Sequence, residues 1–378
     1  MNNFEPKVIA LYLPQYHPTA NNDVWWGKGF TEWTNVGKAK PLFKGHYQPK
    51  VPADLGYYDL RLPQVREEQV KLAKEAGVYG FCYYHYWFGN GRQELELPFN
   101  EVLKLGKPDF PFCLCWANES WHSKFWNIDG TIQKKCLVEQ IYDDKEGHKK
   151  HFLHLLPAFK DERYIKIDGK PLFMIYQPFL FDDIEEFIKQ WNQLAIDYGF
   201  PGIHFVAHLF LNVNQKNIDK LNNMGFNAVN SLGLHIAMNG IHQTLGAIQM
   251  KLNSILGKLK RAVKYSKAYP LFLQEVDKKE NVYPTLIPNW DHTPRSGRAG
   301  TVLVDSTPML FKKHCIETFE IVRKKRIENQ IIFIKSWNEW GEGNYMEPDL
   351  KYGKGYIEDT LCRKKFRISA MIILSDVF

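Results

Sequence analysis

The sequence has no apolar run long enough to cross a bilayer, so no helical membrane span is expected. Its first residues, Met1-Asn2-Asn3-Phe4-Glu5-Pro6-Lys7, show no basic stretch followed by an apolar one, so no signal peptide is expected either. The six cysteines, Cys82, Cys113, Cys115, Cys136, Cys315 and Cys362, include no CxxC pair and no repeated spacing, which argues against a disulfide framework or a zinc site and for a reducing cytoplasm. Cys113 and Cys115, two apart in an apparent strand, are expected to pack as small apolar groups. There is no Gly-rich phosphate turn after the first strand and no GxxxxGK[ST], so no nucleotide cofactor is implied. Charge of one sign is also lacking. With 49 Lys and Arg against 42 Asp and Glu, the net charge of +7 is spread along most of the 378 residues, and nucleic-acid binding is not expected.

What the chain does have is aromatic side chains, 15% of the total, bunched with Gly, Asn and His rather than in plain apolar runs. Sugar sites combine these types, because C–H faces stack on rings while hydroxyls seek polar partners. Eight apolar strand candidates alternate with helical patterns: 8–13, 78–88, 110–117, 171–178, 203–208, 226–229, 285–291 and 331–334. Several end in polar residues. That count favours a (β/α)8 barrel over an open doubly wound sheet. The expected organisation is one catalytic barrel over 1–361 with insertions at 14–58 and 241–269, then a tail, 362–378, of no assigned role. The first insertion, containing Trp25-Trp26-Gly27-Lys28-Gly29-Phe30-Thr31-Glu32-Trp33, is too aromatic for disorder and reads as an ordered wall. The second carries Leu245, Ile248, Leu252, Ile255, Leu256, Leu259 and Val263 at helical spacing beside six basic and no acidic residues. It reads as a basic amphipathic helix, either packed on the barrel or resting on an anionic membrane surface.

The chemistry is expected at the carboxyl ends of the strands. Ile331-Ile332-Phe333-Ile334 runs into Lys335-Ser336-Trp337-Asn338-Glu339-Trp340-Gly341-Glu342-Gly343. Breaking a glycosidic bond needs one group to protonate the leaving oxygen and a second to support or replace the charge at the anomeric carbon. Glu339 and Glu342 form the natural pair, with Trp337, Asn338 and Trp340 as neighbours for a sugar. Glu119, in Trp116-Ala117-Asn118-Glu119, is the rival, and could pair with Glu339 across the mouth. Tyr84, His85 and Trp87 at the end of the second strand, Trp116 and Asn118 at the third, and Trp290, Asp291 and Arg295 after the seventh complete the expected substrate contacts. His204 and His208 lie on one face of a strand about 13 Å apart, too far to share a metal ion, and no metal is expected.

Together Tyr12-Leu13-Pro14-Gln15-Tyr16-His17-Pro18, Asn22-Asp23-Val24-Trp25-Trp26-Gly27-Lys28-Gly29-Phe30-Thr31-Glu32-Trp33, Trp116-Ala117-Asn118-Glu119, Asn289-Trp290-Asp291-His292-Thr293-Pro294-Arg295 and Trp337-Asn338-Glu339-Trp340-Gly341-Glu342-Gly343 resemble the WbsX-type proteins of bacterial surface-polysaccharide clusters. Those proteins are similar in turn to glycoside hydrolase family 99. The resemblance spans roughly residues 8–356. It implies a (β/α)8 barrel that cleaves α-mannosidic bonds with retention and without a metal. It also implies distinct roles for the two carboxylates. The position of Glu339 takes the proton of the sugar 2-hydroxyl, which closes on the anomeric carbon as a 1,2-anhydro sugar, and that of Glu342 protonates the leaving group and then activates the incoming nucleophile. Gly341 stands where the hydrolases carry a His.

Three readings follow: a cytoplasmic enzyme of O-antigen or capsule assembly that cleaves or transfers glycosyl residues, a double-displacement glycosidase using Glu119 and Glu339, and a non-catalytic glycan-binding barrel. The expected partner is an oligosaccharide or a lipid-linked glycan, with residues 241–269 as a peripheral contact to the inner membrane.

Overall fold

The computed structural model describes residues 5–126, 132–240 and 261–360. Eight parallel strands close into a barrel: β1 (Lys7–Tyr12), β2 (Gly80–Trp87), β3 (Phe112–Trp116), β4 (Lys170–Ile175), β5 (His204–Leu209), β6 (Ala228–Ser231), β7 (Val282–Leu286) and β8 (Ile331–Ile334). Each pairs with its sequence neighbour, and β1 pairs with both β2 and β8, so no edge remains in the barrel. The (β/α)8 expectation holds.

The strands are apolar because both faces are covered. Ile331, Ile332, Phe333 and Ile334 are all fully buried. On the outside lie helices at the expected places, among them α1 (Ala20–Trp26) and α2 (Glu32–Lys38) in the first insertion, α3 (Pro63–Glu75), α4 (Leu97–Leu105), α5 (Lys145–Lys160), α6 (Ile184–Asp197), α7 (Gln215–Asn223), α8 (Leu234–Gly240) and α9 (Pro308–Val322). Asp144 caps α5 by accepting from the Gly147 amide, and Thr307 caps α9 by accepting from Leu310.

Strand register decides which side chains reach the lumen. Tyr84 of β2 is level with Cys115 of β3, Cys115 with Met174 of β4, and Met174 with Val206 of β5. This set faces inward. The next residues, His85, Trp116, Ile175 and Ala207, form the adjacent outward level. Cys113 and Cys115 are buried on one face, as their spacing suggested.

The second insertion departs from expectation where it is described. Residues 241–260 lie outside the described residues, but Arg261–Lys264 is a strand, parallel to Thr301–Val304, and not the end of a basic helix. Val263 turns inward onto a small apolar cluster with Tyr265, Phe272, Ile287 and Leu303. A helical pattern extended across this point fails because burial there alternates with period two. A hairpin of Trp121–Trp126 and Ile132–Val138, not anticipated, rises after β3. The tail 362–378 lies outside the described residues. Among the described residues no helix is long and apolar enough to cross a membrane, and no group of three or more His, Cys, Asp or Glu is placed to hold a metal ion.

Candidate active site

The segment after β8 folds back over the barrel mouth. Lys335 continues the strand, its amide donating to the Leu286 carbonyl, and Asn338–Glu339 then pairs antiparallel with Asn344–Tyr345 around a tight turn, Trp340–Glu342. Gly343 closes that turn at φ +52°, where an added Cβ would meet the Asp291 side chain at 2.7 Å. Asn338 anchors the hairpin to β1: its Oδ1 accepts from the Leu13 amide at 2.8 Å and its Nδ2 donates to the Leu13 carbonyl at 3.0 Å. The side chain thus acts as a missing strand partner. Asn338 is a scaffold residue, not the expected substrate contact.

This hairpin brings together Glu339, Glu342 and Lys335. The Lys335 ammonium lies 3.0 Å from Glu339 Oε2, 3.9 Å from Glu342 Oε2 and 3.1 Å from the Tyr84 hydroxyl. The two carboxyl groups are within hydrogen-bonding reach of one another. Glu342 Oε2 is buried with no hydrogen-bond partner among the described residues, the Lys335 ammonium lying 3.9 Å away. Burial and the Glu342 charge hold Glu339 above the usual carboxylate range, against the pull of Lys335. Burial acts on Glu342 too, but Arg295 and Lys335 outweigh it and hold Glu342 below that range. Of the two, Glu339 is thus the one held closer to protonation. Lys335, though buried, is held well above its ordinary value by Glu339, Tyr176 and Glu342 once desolvation is overcome.

The expected contacts divide by parity. Tyr84 is inward and touches Lys335. Trp290 is half-buried, with Lys335 Nζ 5.9 Å from its ring centre. Glu119 is at the same mouth, accepting from Gln177 Nε2 at 3.1 Å, and burial holds it above the usual range while Lys335 and Glu342 act on its charge. His85, Trp87 and Trp116 point the other way, into the helix layer. His85 Nε2 meets His151 Nε2 of α5 at 2.8 Å, Trp87 stacks on His151 with ring centres 4.4 Å apart, and Trp116 Nε1 donates to the Trp87 carbonyl. Strand alternation sets this, since one residue along a strand changes the face.

Four further residues are engaged by the scaffold. Asn118 Oδ1 accepts from the Gln177 amide while its Nδ2 donates to Tyr142 and to the Gln177 carbonyl. Trp337 and Trp340 lie beneath the hairpin, fully buried, the first against Phe81 and the second stacked 3.8 Å from Tyr345 with its Nε1 donating to Glu347. Asp291 accepts from His46, Gln48 and twice from Thr293. No acceptor is left over for a sugar. Arg295, expected on substrate, instead donates through Nε to Glu32 at 2.9 Å and through Nη1 to Glu342.

Sequence reasoning passed over Lys335, Tyr86, Tyr176, Trp121 and Glu32. Tyr86 and Tyr176 were findable, since they follow Tyr84 and Met174 at a spacing of two. Half-buried Trp25, Trp121 and Tyr86 form an aromatic edge to the mouth, with centres 6.0 Å and 5.0 Å apart.

A closed (β/α)8 barrel with a lysine-bridged carboxylate pair at the strands' carboxyl ends is the architecture of a barrel enzyme. A family model described as "Glycosyltransferase WbsX" matches residues 8–360, and the chain belongs to that family. That description places the family among the carbohydrate-active enzymes. Two relatives from two strains of Xanthomonas campestris pv. campestris, both described as "Uncharacterized protein WxcX", are 31% and 32% identical over 360 and 363 residues, 93% of this chain. They match over 49% of their own length, so the chain spans about half of each. The family 99 endo-α-mannosidase of Bacteroides thetaiotaomicron, in complex with BIS-TRIS-Propane, is structurally similar with a TM-score of 0.54 and 14% identity, covering 97% of this chain and 98% of that one. A "Glycoside hydrolase-like protein" reaches 0.58 at 12% identity, covering 95% and 94%. At such identities these likenesses speak for the fold.

Proposed function

We propose that this chain cleaves or transfers α-linked, mannose-like glycosyl residues with retention, in the assembly of a bacterial surface polysaccharide such as O-antigen or capsule. Its partner is an oligosaccharide or a lipid-linked glycan, met in the cytoplasm or at the inner membrane. The observation that carries this is the buried carboxyl pair Glu339 and Glu342, both facing the Lys335 ammonium at the barrel mouth.

In the first step Glu339 takes the 2-hydroxyl proton, O2 bonds to the anomeric carbon, and the glycosidic bond's electrons go to the leaving oxygen, which is protonated by Glu342. In the second step Glu342 takes the nucleophile's proton, the nucleophile opens the anhydro ring, and O2 recovers its proton from Glu339. Two inversions give retention. Glu342 enters the first step protonated and Glu339 ionised, with Lys335 beside both to support the ionised form.

Single Gln replacements of Glu339, Glu342 and Glu119, assayed on α-linked oligosaccharides and lipid-linked acceptors, test the reading. Losses of about 10³-fold or more are expected for Glu339→Gln and Glu342→Gln. Full activity in both rejects it. A loss confined to Glu119 and Glu339 variants points to double displacement, and binding without turnover on every substrate to a glycan-binding barrel.

A further inference from the structure

A guanidinium in direct contact with an acid normally fixes it as a carboxylate. Glu342 has that contact in Arg295, yet it must accept a proton to serve a leaving group. Glu32 stands on the far side of the same guanidinium. It is 2% exposed, the first residue of α2, and its Oε1 accepts from Arg295 Nε at 2.9 Å and from Asn35 Nδ2 at 3.0 Å.

Glu32 also explains Gly341. A Cβ at position 341 would lie 1.8 Å from Glu32 Oε1 and 3.1 Å from Arg295 Nε, so only glycine leaves the Glu32 carboxylate its seat. The turn that carries Glu342 and the helix that carries Glu32 are thus fitted to each other. Glu342 faces Arg295 and His292 from the stretch after β7, the latter at 3.6 Å, Lys335 and Glu339 from β8 and its hairpin, Glu32 from α2, and Tyr84, Glu119 and Tyr176 from the ends of β2, β3 and β4.

We propose that Glu32 is a positioning residue that holds Arg295 over Gly341 and divides its charge between two carboxylates, keeping Glu342 able to take up a proton. This rests on the role of Glu342 given above. The signs are opposed: the Arg295 charge favours ionised Glu342, and the Glu32 charge disfavours it.

The test reads Glu342 directly, by ¹³C-carboxyl NMR titration of glutamate-labelled full chain in a Glu339→Gln background, the Glu342 signal being assigned by its loss in Glu342→Gln. Relative to that background, Arg295→Gln is expected to raise the Glu342 midpoint by about 1 pH unit or more, with Arg295→Lys moving it less. Glu32→Gln is expected to lower it by roughly half a unit, and Gly341→Ala, which unseats Glu32 without removing its charge, to move it the same way. A midpoint that rises or stays unchanged in Glu32→Gln overturns the proposal, as does one that falls or stays in Arg295→Gln. Arg295→Lys and Gly341→Ala decide the matter if a larger change prevents folding. No substrate is used, so failure on every glycan assayed would reject the proposed function and leave this result standing.

Discussion

Lys335 places its ammonium 3.0 Å from the Glu339 carboxyl group, the two side chains being 5% and 6% exposed. The same cation is 3.9 Å from Glu342, so one buried charge faces two acids. Replacing Lys335 by Met leaves these acids without it. We expect a stability loss of about 3 kcal/mol at pH 8, where an uncompensated carboxylate must stay buried, and a smaller loss at pH 5, where it can be protonated. Chemical denaturation at the two pH values checks this. Equal losses would mean that Lys335 acts by packing alone.

Glu347 is buried beneath the hairpin, accepting from Trp340 Nε1, Tyr58 and Gln69, and burial pushes it up to about 7 from 4.5. The folded state therefore binds its proton more tightly than the unfolded chain. Its contribution is full below pH 4.5 and is lost as pH rises through 7, by about 3 kcal/mol. In Glu347→Gln that dependence disappears. The stability difference between the two proteins, followed from pH 4.5 to 8, should change by about that amount. A constant difference would refute the assignment.

The outer histidines act at the other end of the scale. Burial lowers His85 to about 3 from 6.5, and His151, its partner, is held well below 6.5 by burial and by His85. Both are neutral in the fold, so their contribution is present above pH 6.5 and lost as pH falls from there toward 3. The double variant His85→Leu, His151→Met should melt with a flatter pH dependence between 6.5 and 4 than the parent. Parallel melting curves would remove these two from the acid response.

Trp116 and Trp290 make a matched pair for glycan binding. Trp116→Phe removes the hydrogen bond to the Trp87 carbonyl and should cost about 1 kcal/mol of stability with oligosaccharide affinity unchanged. Trp290→Ala, at the half-buried ring beside Lys335, should weaken affinity about tenfold. Titration calorimetry against α-linked oligosaccharides separates them. Weakened binding in Trp116→Phe would return that ring to the site.

Local pattern and composition determined much of this protein. The apolar β-branched runs, the capping residues and the alternation of strand with helix specify a (β/α)8 barrel, because each is set by contacts within a few residues or by the burial of a whole strand. The same reasoning placed the chemistry at residues 335–343, since polar residues ending a buried strand have few other places to go. Tertiary structure alone decided the partners. His85 and Trp116 sit in motifs as rich as that of Tyr84, yet one step of the pleat turns them to the helices. Asn338 and Asp291 have sugar-binding chemistry, but Leu13, His46 and Gln48, all more than 240 residues away along the chain, claim their atoms. Arg295 could reach a sugar by type and position. It is instead held between Glu32 and Glu342, because the glycine at 341 leaves room for a carboxylate that arrives from the opposite end of the chain.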